Sequence, residues 1–277
     1  MIKIHTFKYD DIEINFIKEG KGEPLVLIHG TNTKLQAWHY QIEFFKEKMM
    51  VIAFDNRGAG KSSRPDYPYT MDMYIEDTKN LLDHLNIQQK IHLCGISMGG
   101  MIAQEFVIKY PERVKTLILL ATAAYIEPIQ ISQTFEVFNN FEKMEFEEKL
   151  QLIIPLIYTN AFKRKLRKDN DLYEKIKKDM NFIIYTEDSP QLKDYINQYK
   201  AVVNFNTLDS LHKITQPTLI AIGSKDVNVL PDGSKLLHER IPNSELKIFE
   251  NLKHGFTIEE PEKLNELIWN FIKKYLG

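Results

Sequence analysis

Residues 91–100 read Ile91-His92-Leu93-Cys94-Gly95-Ile96-Ser97-Met98-Gly99-Gly100. A short apolar run, Ile91–Cys94, has the character of a strand buried on both faces. A helical pattern begins near Gly99 and runs to Tyr110, just before Pro111. Between them lies Gly-x-Ser-x-Gly. At a strand-to-helix turn this tight, the serine is forced into strained backbone angles, and a glycine two residues to either side removes side chains that would collide with the crossing chain. The Ser97 hydroxyl then stands above the sheet, and the N–H groups that open the helix point at the same place.

Outward from this turn, the chain alternates compact apolar runs with helical patterns. Pro24–Ile28, Met50–Phe54, Val114–Leu120, Pro217–Ile222 and the shorter Glu245–Phe249 read as further buried strands. Residues 2–9 and 12–19, joined at Asp10-Asp11, predict a hairpin. Met71–Leu85, Pro231–Ile241 and Pro261–Tyr275 carry helical patterns. This succession predicts an α/β fold: a mostly parallel sheet flanked by helices on both faces. From about Ala124 to about Leu211 the rhythm breaks. Charged helical stretches such as Phe141–Leu150 and Phe162–Met180 replace strands. The expected division is a core of residues 1–123 and 212–277 and a helical cap insertion of residues 124–211 over the sheet's C-terminal edge, where open α/β sheets bind ligands.

A nucleophilic serine needs a base. Among eight histidines, His254 lies directly after the last strand and before the last helix, again at that edge. His29, before Gly30, reads as a histidine that holds a loop, and His92, inside a strand, as core. His5, His39, His84, His212 and His238 fall on helical or surface-like segments. The acid that orients the base should follow a strand between Ser97 and His254. Asp226, in Gly223-Ser224-Lys225-Asp226, fits. Its rival Asp232 follows Pro231 at a helix start, where N-capping is the simpler reading. The expected catalytic set is Ser97, Asp226 and His254. The expected oxyanion hole is the backbone N–H groups of Met98 and Thr31, the latter beside Gly30, which lets the backbone approach closely.

Several segments now carry a resemblance. His29-Gly30, Asp55-Asn56-Arg57-Gly58-Ala59-Gly60-Lys61-Ser62, Tyr110-Pro111-Glu112-Arg113-Val114, the turn around Ser97 and Gly223–Asp226 occur in the order found in the α/β-hydrolase family. The chain resembles its serine-nucleophile branch, and the turn at 95–101 is similar to that of enol-lactonases and small carboxylesterases. An aspartate in place of Ser97 would have pointed to dehalogenases or epoxide hydrolases. In family terms the 55–62 segment is structural, with Arg57 an ion-pair anchor. One departure is Lys253-His254-Gly255, where the family often has glycine before the histidine.

The resemblance implies hydrolysis of a small carboxylic ester or lactone through an acyl-enzyme, with no cofactor and no metal. Carbon–carbon hydrolysis of a dienoic diketone by the same triad, or a ligand sensor with little turnover, are the alternative readings. A formal charge of −2 gives no electrostatic case for nucleic acid or an anionic membrane. No stretch approaches the roughly 18–20 apolar residues that span a bilayer, and the N-terminus lacks the apolar region of a secretory signal. The single cysteine, Cys94, excludes an internal disulfide and suits a reducing, cytoplasmic setting. It reads as a small buried residue. The basic run Phe162–Lys168 reads as a solvated helix face, and Trp38 as either pocket wall or packing. The sequence assigns no oligomeric state.

Overall fold

The computed structural model describes residues 3–126, 144–184, 188 and 191–277. Eight strands form one sheet in the order β1-β2-β4-β3-β5-β6-β7-β8. They are β1 (Ile4–Tyr9), β2 (Ile12–Glu19), β3 (Pro24–Ile28), β4 (Met50–Phe54), β5 (Ile91–Ile96), β6 (Val114–Leu120), β7 (Thr218–Gly223) and β8 (Ser244–Phe249). β1 and β2 form the expected hairpin, and β2 runs antiparallel to β4. From β4 to β8 every pairing is parallel.

The continuous apolar runs follow from burial on both faces. Val26, Ile28, Leu93 and Leu117 join one core with α2 (Met71–His84), α3 (Met98–Lys109) and α8 (Pro231–Arg240). Their neighbours Leu25, Leu27, Cys94 and Ile118 join another, with α1 (His39–Phe45) and α9 (Pro261–Ile272). Local chemistry sets the helix ends. The Thr70 hydroxyl accepts the Met73 N–H at the start of α2, and Pro231 and Pro261 sit in the first turns of α8 and α9.

The residues between the adjacent strands β6 and β7 hold α4 (Phe146–Ile157), α5 (Asn160–Leu166), α6 (Asn170–Ile184) and α7 (Leu192–Val203). Leu150, Ile153, Tyr158, Phe162, Ile176 and Met180 give this insertion an apolar cluster of its own. Two expectations change. The stretch Phe162–Met180 is two helices, because the Thr159 hydroxyl caps α5 and the Asp169 carboxylate accepts the Leu172 N–H to start α6. In the stretch Phe141–Leu150 the described helix starts at Phe146, behind a capping box of Glu145 and Glu148. Residues 141–143 lie outside the described residues. The insertion leaves and re-enters the core through a narrow neck. Tyr125 bridges Asn206, and the Thr207 N–H donates to the Ala124 carbonyl at 2.9 Å.

Candidate active site

Ser97 joins β5 to α3 with φ 55° and ψ −122°, a strained conformation for a residue with a side chain. Its neighbours hold it there. The Ser97 N–H donates to the Leu120 carbonyl, and the Thr122 hydroxyl and Gly100 N–H donate to the Ser97 carbonyl, each at 2.9 Å. The flanking glycines are required by space. A Cβ on Gly95 would lie 2.1 Å from the Gly99 carbonyl oxygen, and one on Gly99 would lie 2.1 Å from that of Ile28.

The loop after β3 passes close to Ser97. A Cβ on Gly30 would sit 3.2 Å from the Ser97 Cβ. His29 holds this loop. The Asn56 N–H donates to its Nε2 at 2.9 Å, so Nδ1 carries the proton and faces the Gly30 carbonyl at 2.7 Å. Burial lowers the His29 pKa and outweighs the Asp55 charge and the Gly30 hydrogen bond, which raise it. His29 is therefore a neutral loop anchor. Thr31 and Met98 both face the cavity above Ser97. Met98 is the first residue of α3, so its N–H has no acceptor within the helix.

Asp226 and His254 meet across two loops. His254 Nδ1 lies 2.7 Å from Asp226 Oδ2. The other carboxylate oxygen accepts the N–H groups of Asn228 at 2.9 Å and Val229 at 3.1 Å, which fixes the carboxylate in place. Gly223 makes the meeting possible, since a Cβ there would lie 2.4 Å from the Leu252 carbonyl oxygen. Burial alone would lower the His254 pKa, but the charge and hydrogen bond of Asp226 outweigh it and the net shift is upward. The carboxylate accepts a hydrogen bond from the Nδ1–H, leaving Nε2 as the basic nitrogen.

Asp232 lies elsewhere. It is 87% exposed and pairs with Lys235 in the first turn of α8, without capping the helix, whose N-cap position is Leu230. Arg57 makes a two-pronged ion pair with the buried Asp77 at 2.6 and 2.7 Å, which is the anchoring role expected of it. Cys94 is fully buried, and burial pushes its thiol pKa up. Arg164, Lys165, Arg167 and Lys168 face solvent while Phe162 and Leu166 turn inward. Trp38 fills both expected places, buried in the core and forming part of the cavity wall.

Ser97, Thr31, Met98 and His254 share one cavity of about 340 Å³. Its far wall comes from the insertion, through Ile153, Leu156, Ile157, Met180, Ile183 and Val202. Two insertion contacts were missed in the sequence. Gln198 of α7 accepts the Asn32 N–H at 3.3 Å and donates to the Gly58 carbonyl at 2.8 Å, bridging two core loops. The last turn of α4 bonds the residues on either side of His254: Lys253 Nζ donates to the Pro155 carbonyl at 2.7 Å and the Gly255 N–H to that of Ile157 at 2.9 Å. A buried-face glutamine in the amphipathic pattern of α7 was the only available signal for the first. Among the described residues no His, Cys, Asp and Glu side chains group as a metal ion requires. No described helix is long and apolar enough to cross a membrane.

This sheet and this strand–serine–helix turn define a hydrolase class, and the chain belongs to the alpha/beta hydrolase fold family, which its sequence matches over residues 23–261. It is 30% identical to 3-oxoadipate enol-lactonase 2 of Acinetobacter baylyi, over 98% of this chain and 97% of that protein. It is also 30% identical to the poly(3-hydroxyalkanoate) depolymerase of Ectopseudomonas oleovorans, over 91% of this chain and 84% of that protein. MGS-M2, an alpha/beta hydrolase enzyme from a Medee basin deep-sea metagenome library, superposes with a TM-score of 0.85 at 26% identity, covering 97% of each chain.

Proposed function

We propose that this chain is a serine hydrolase that cleaves a small carboxylic ester or lactone through an acyl-enzyme. The observation that carries the reading is one cavity bounded by Ser97 on its strained turn and by His254, whose Nδ1 is bonded to Asp226. In this scheme His254 Nε2 removes the Ser97 proton as Oγ attacks the carbonyl carbon. The N–H groups of Thr31 and Met98 receive the oxyanion. The imidazolium gives its proton to the leaving alcohol oxygen. Water then attacks the acyl carbon, with the same histidine as base, and Ser97 is regenerated. Asp226 fixes the tautomer and stabilises the imidazolium.

Residues 124–211 act as a cap on a core of residues 1–123 and 212–277, supplying cavity wall and excluding water. Two enzymes that act on ester-type bonds by name, the enol-lactonase and the depolymerase, support the choice of bond. A buried single cysteine is consistent with a cytoplasmic setting.

A fluorophosphonate probe should label the wild type at Ser97 and leave Ser97→Ala unlabelled. The variant should stay folded but lose turnover of short p-nitrophenyl esters. Labelling at another serine overturns the assignment. Probe labelling without ester turnover would instead favour carbon–carbon hydrolysis or ligand sensing.

A further inference from the structure

We infer that the cavity selects a substrate whose enclosed part is uncharged and apolar, and that it rejects esters and lactones bearing a carboxylate on that part. The inference rests on the proposed role of Ser97.

The first observation is the composition of the wall. Its polar contributions among the described residues are Thr31, Asn32, Thr33, Tyr199, Asn228 and Thr257, besides Ser97 and His254. The remainder is aliphatic, Met, Trp, Ala and Gly. His254 is the one described wall residue able to carry positive charge. Its proton-bearing nitrogen is already bonded to Asp226, and its other nitrogen must be neutral for the reaction.

The second observation is where the basic side chains near the site are committed. Lys253, next to His254, places its ammonium on the Pro155 carbonyl. Arg57 is bound to Asp77, and Arg64 reaches Asp194 and the Gly60 carbonyl. Arg164 and Lys165 of α5 are exposed to solvent. Lys34, buried after Thr33, lies in the field of Asp55 and Asp188, and none of these cations forms part of the described cavity wall.

A carboxylate carried into this space would lose its hydration and gain no cation from the described wall, a loss that the few hydroxyl and amide groups there offset only in part. A methyl-ended chain of the same length gains from every wall contact. A volume of about 340 Å³ lies at the small end of ligand cavities, which suits a chain of moderate length more than a bulky group.

The test compares p-nitrophenyl hexanoate with the p-nitrophenyl monoester of adipic acid. Their leaving groups are identical and their chain lengths match, but the second ends in a carboxylate. With wild-type protein, kcat/KM should favour the hexanoate by at least about 30-fold at neutral pH, given the cost of an unpaired buried carboxylate. Leu156→Arg places a cation on the half-buried cavity wall and should shrink that gap by about tenfold or more. Ala37→Lys does the same from a wall residue of the core, and serves if the melting curve shows that the first variant is unfolded. Fluorophosphonate labelling of Ser97 is read in parallel. Labelling of Ser97 with turnover of a short p-nitrophenyl ester, together with a gap below 30-fold or with no turnover of the hexanoate, overturns this inference alone. So does a gap that neither folded variant narrows. Absence of both labelling and turnover overturns the hydrolase reading and the inference with it.

Discussion

The N–H of Gly255 donates to the carbonyl of Ile157 at 2.9 Å, so the residue after His254 is bonded to the last turn of an inserted helix. That carbonyl, like the Pro155 carbonyl held by Lys253, belongs to the terminal turn of α4, where helical carbonyls lack intrahelical donors. The His254 loop supplies the missing donors. The departure Lys253-His254-Gly255 has a spatial reason here: a Cβ at 255 would lie 2.9 Å from both the Ile157 oxygen and the Tyr158 ring.

Gly255→Ala should therefore push α4 and the histidine loop apart. The backbone angle at 255, φ −79°, tolerates alanine, so the effect comes from crowding alone. We expect kcat on a short ester to fall by about 10- to 100-fold, the scale of a small misplacement of a reacting group. Melting temperature should change little. Unchanged kcat in a folded variant would show that the loop does not depend on this contact.

On the proposed role of Asp226, Asp226→Asn should cost about 10³–10⁴ in kcat, as loss of the orienting carboxylate does in known triads. Asp232→Asn should cost almost nothing, since Asp232 is exposed and paired only with Lys235. Steady-state kinetics on one ester, run side by side, separates the two. Similar small losses at both positions would reopen the choice of acid.

The pH profile follows from the upward shift at His254. In the proposed scheme His254 acts as the neutral base, so kcat/KM rises as the proton leaves. The acidic limb should lie above the ordinary histidine value of about 6.5. In Asp226→Asn the carboxylate that holds the proton is gone, and the limb should move to lower pH. The same shift affects stability. Its contribution is full below the histidine value of the unfolded chain and is lost as pH rises through the folded value. A limb that stays in place in the variant contradicts this account.

Arg57 and Asp77 are both buried, and the Tyr9 hydroxyl also donates to Asp77. Asp77→Ala leaves the guanidinium unpaired and should destabilise the fold by about 3–5 kcal/mol in urea melts. The double variant Arg57→Met, Asp77→Leu should recover most of that loss. Ester turnover by the folded fraction should stay near wild type in both, because this pair supports the 55–62 loop and touches no part of the cavity.

Much of the architecture was readable because a strand covered on both faces leaves a plain mark. Leu25–Ile28 and Leu117–Leu120 are apolar at every position, and the sheet runs through them. The glycines at 95 and 99 were equally legible, since each stands where a side chain would strike backbone; the same need at Gly223 shows only in the structure. The division of the insertion was not legible. Asp169 is an ordinary capping residue, and its signal lay inside a charged run whose periodicity continues through the break. The cavity wall was out of reach for a different reason. Met180 and Ile183 show only that one face of α6 is apolar; which surface it covers depends on how the helices of the insertion pack, and no local rule fixes that. The role of Lys253 was hidden likewise, because its acceptor lies far away in the chain, at Pro155.

The neck at Ala124 and Thr207 bears on how such a chain can change over generations. The excursion from Tyr125 to Asn206 begins and ends at one hydrogen-bonded rung, with the Thr207 hydroxyl also anchored to Gln104 of α3. A segment whose ends already touch can be lengthened, shortened or exchanged without moving β6 from β7, since closing a longer loop costs only slowly more entropy. The constraint on such an exchange lies elsewhere, at Lys253 and Gly255, where any replacement helix must again present two free carbonyls. A recombined gene that kept the rung but lost those carbonyls would inherit the sheet intact and a histidine loop with nothing to lean on.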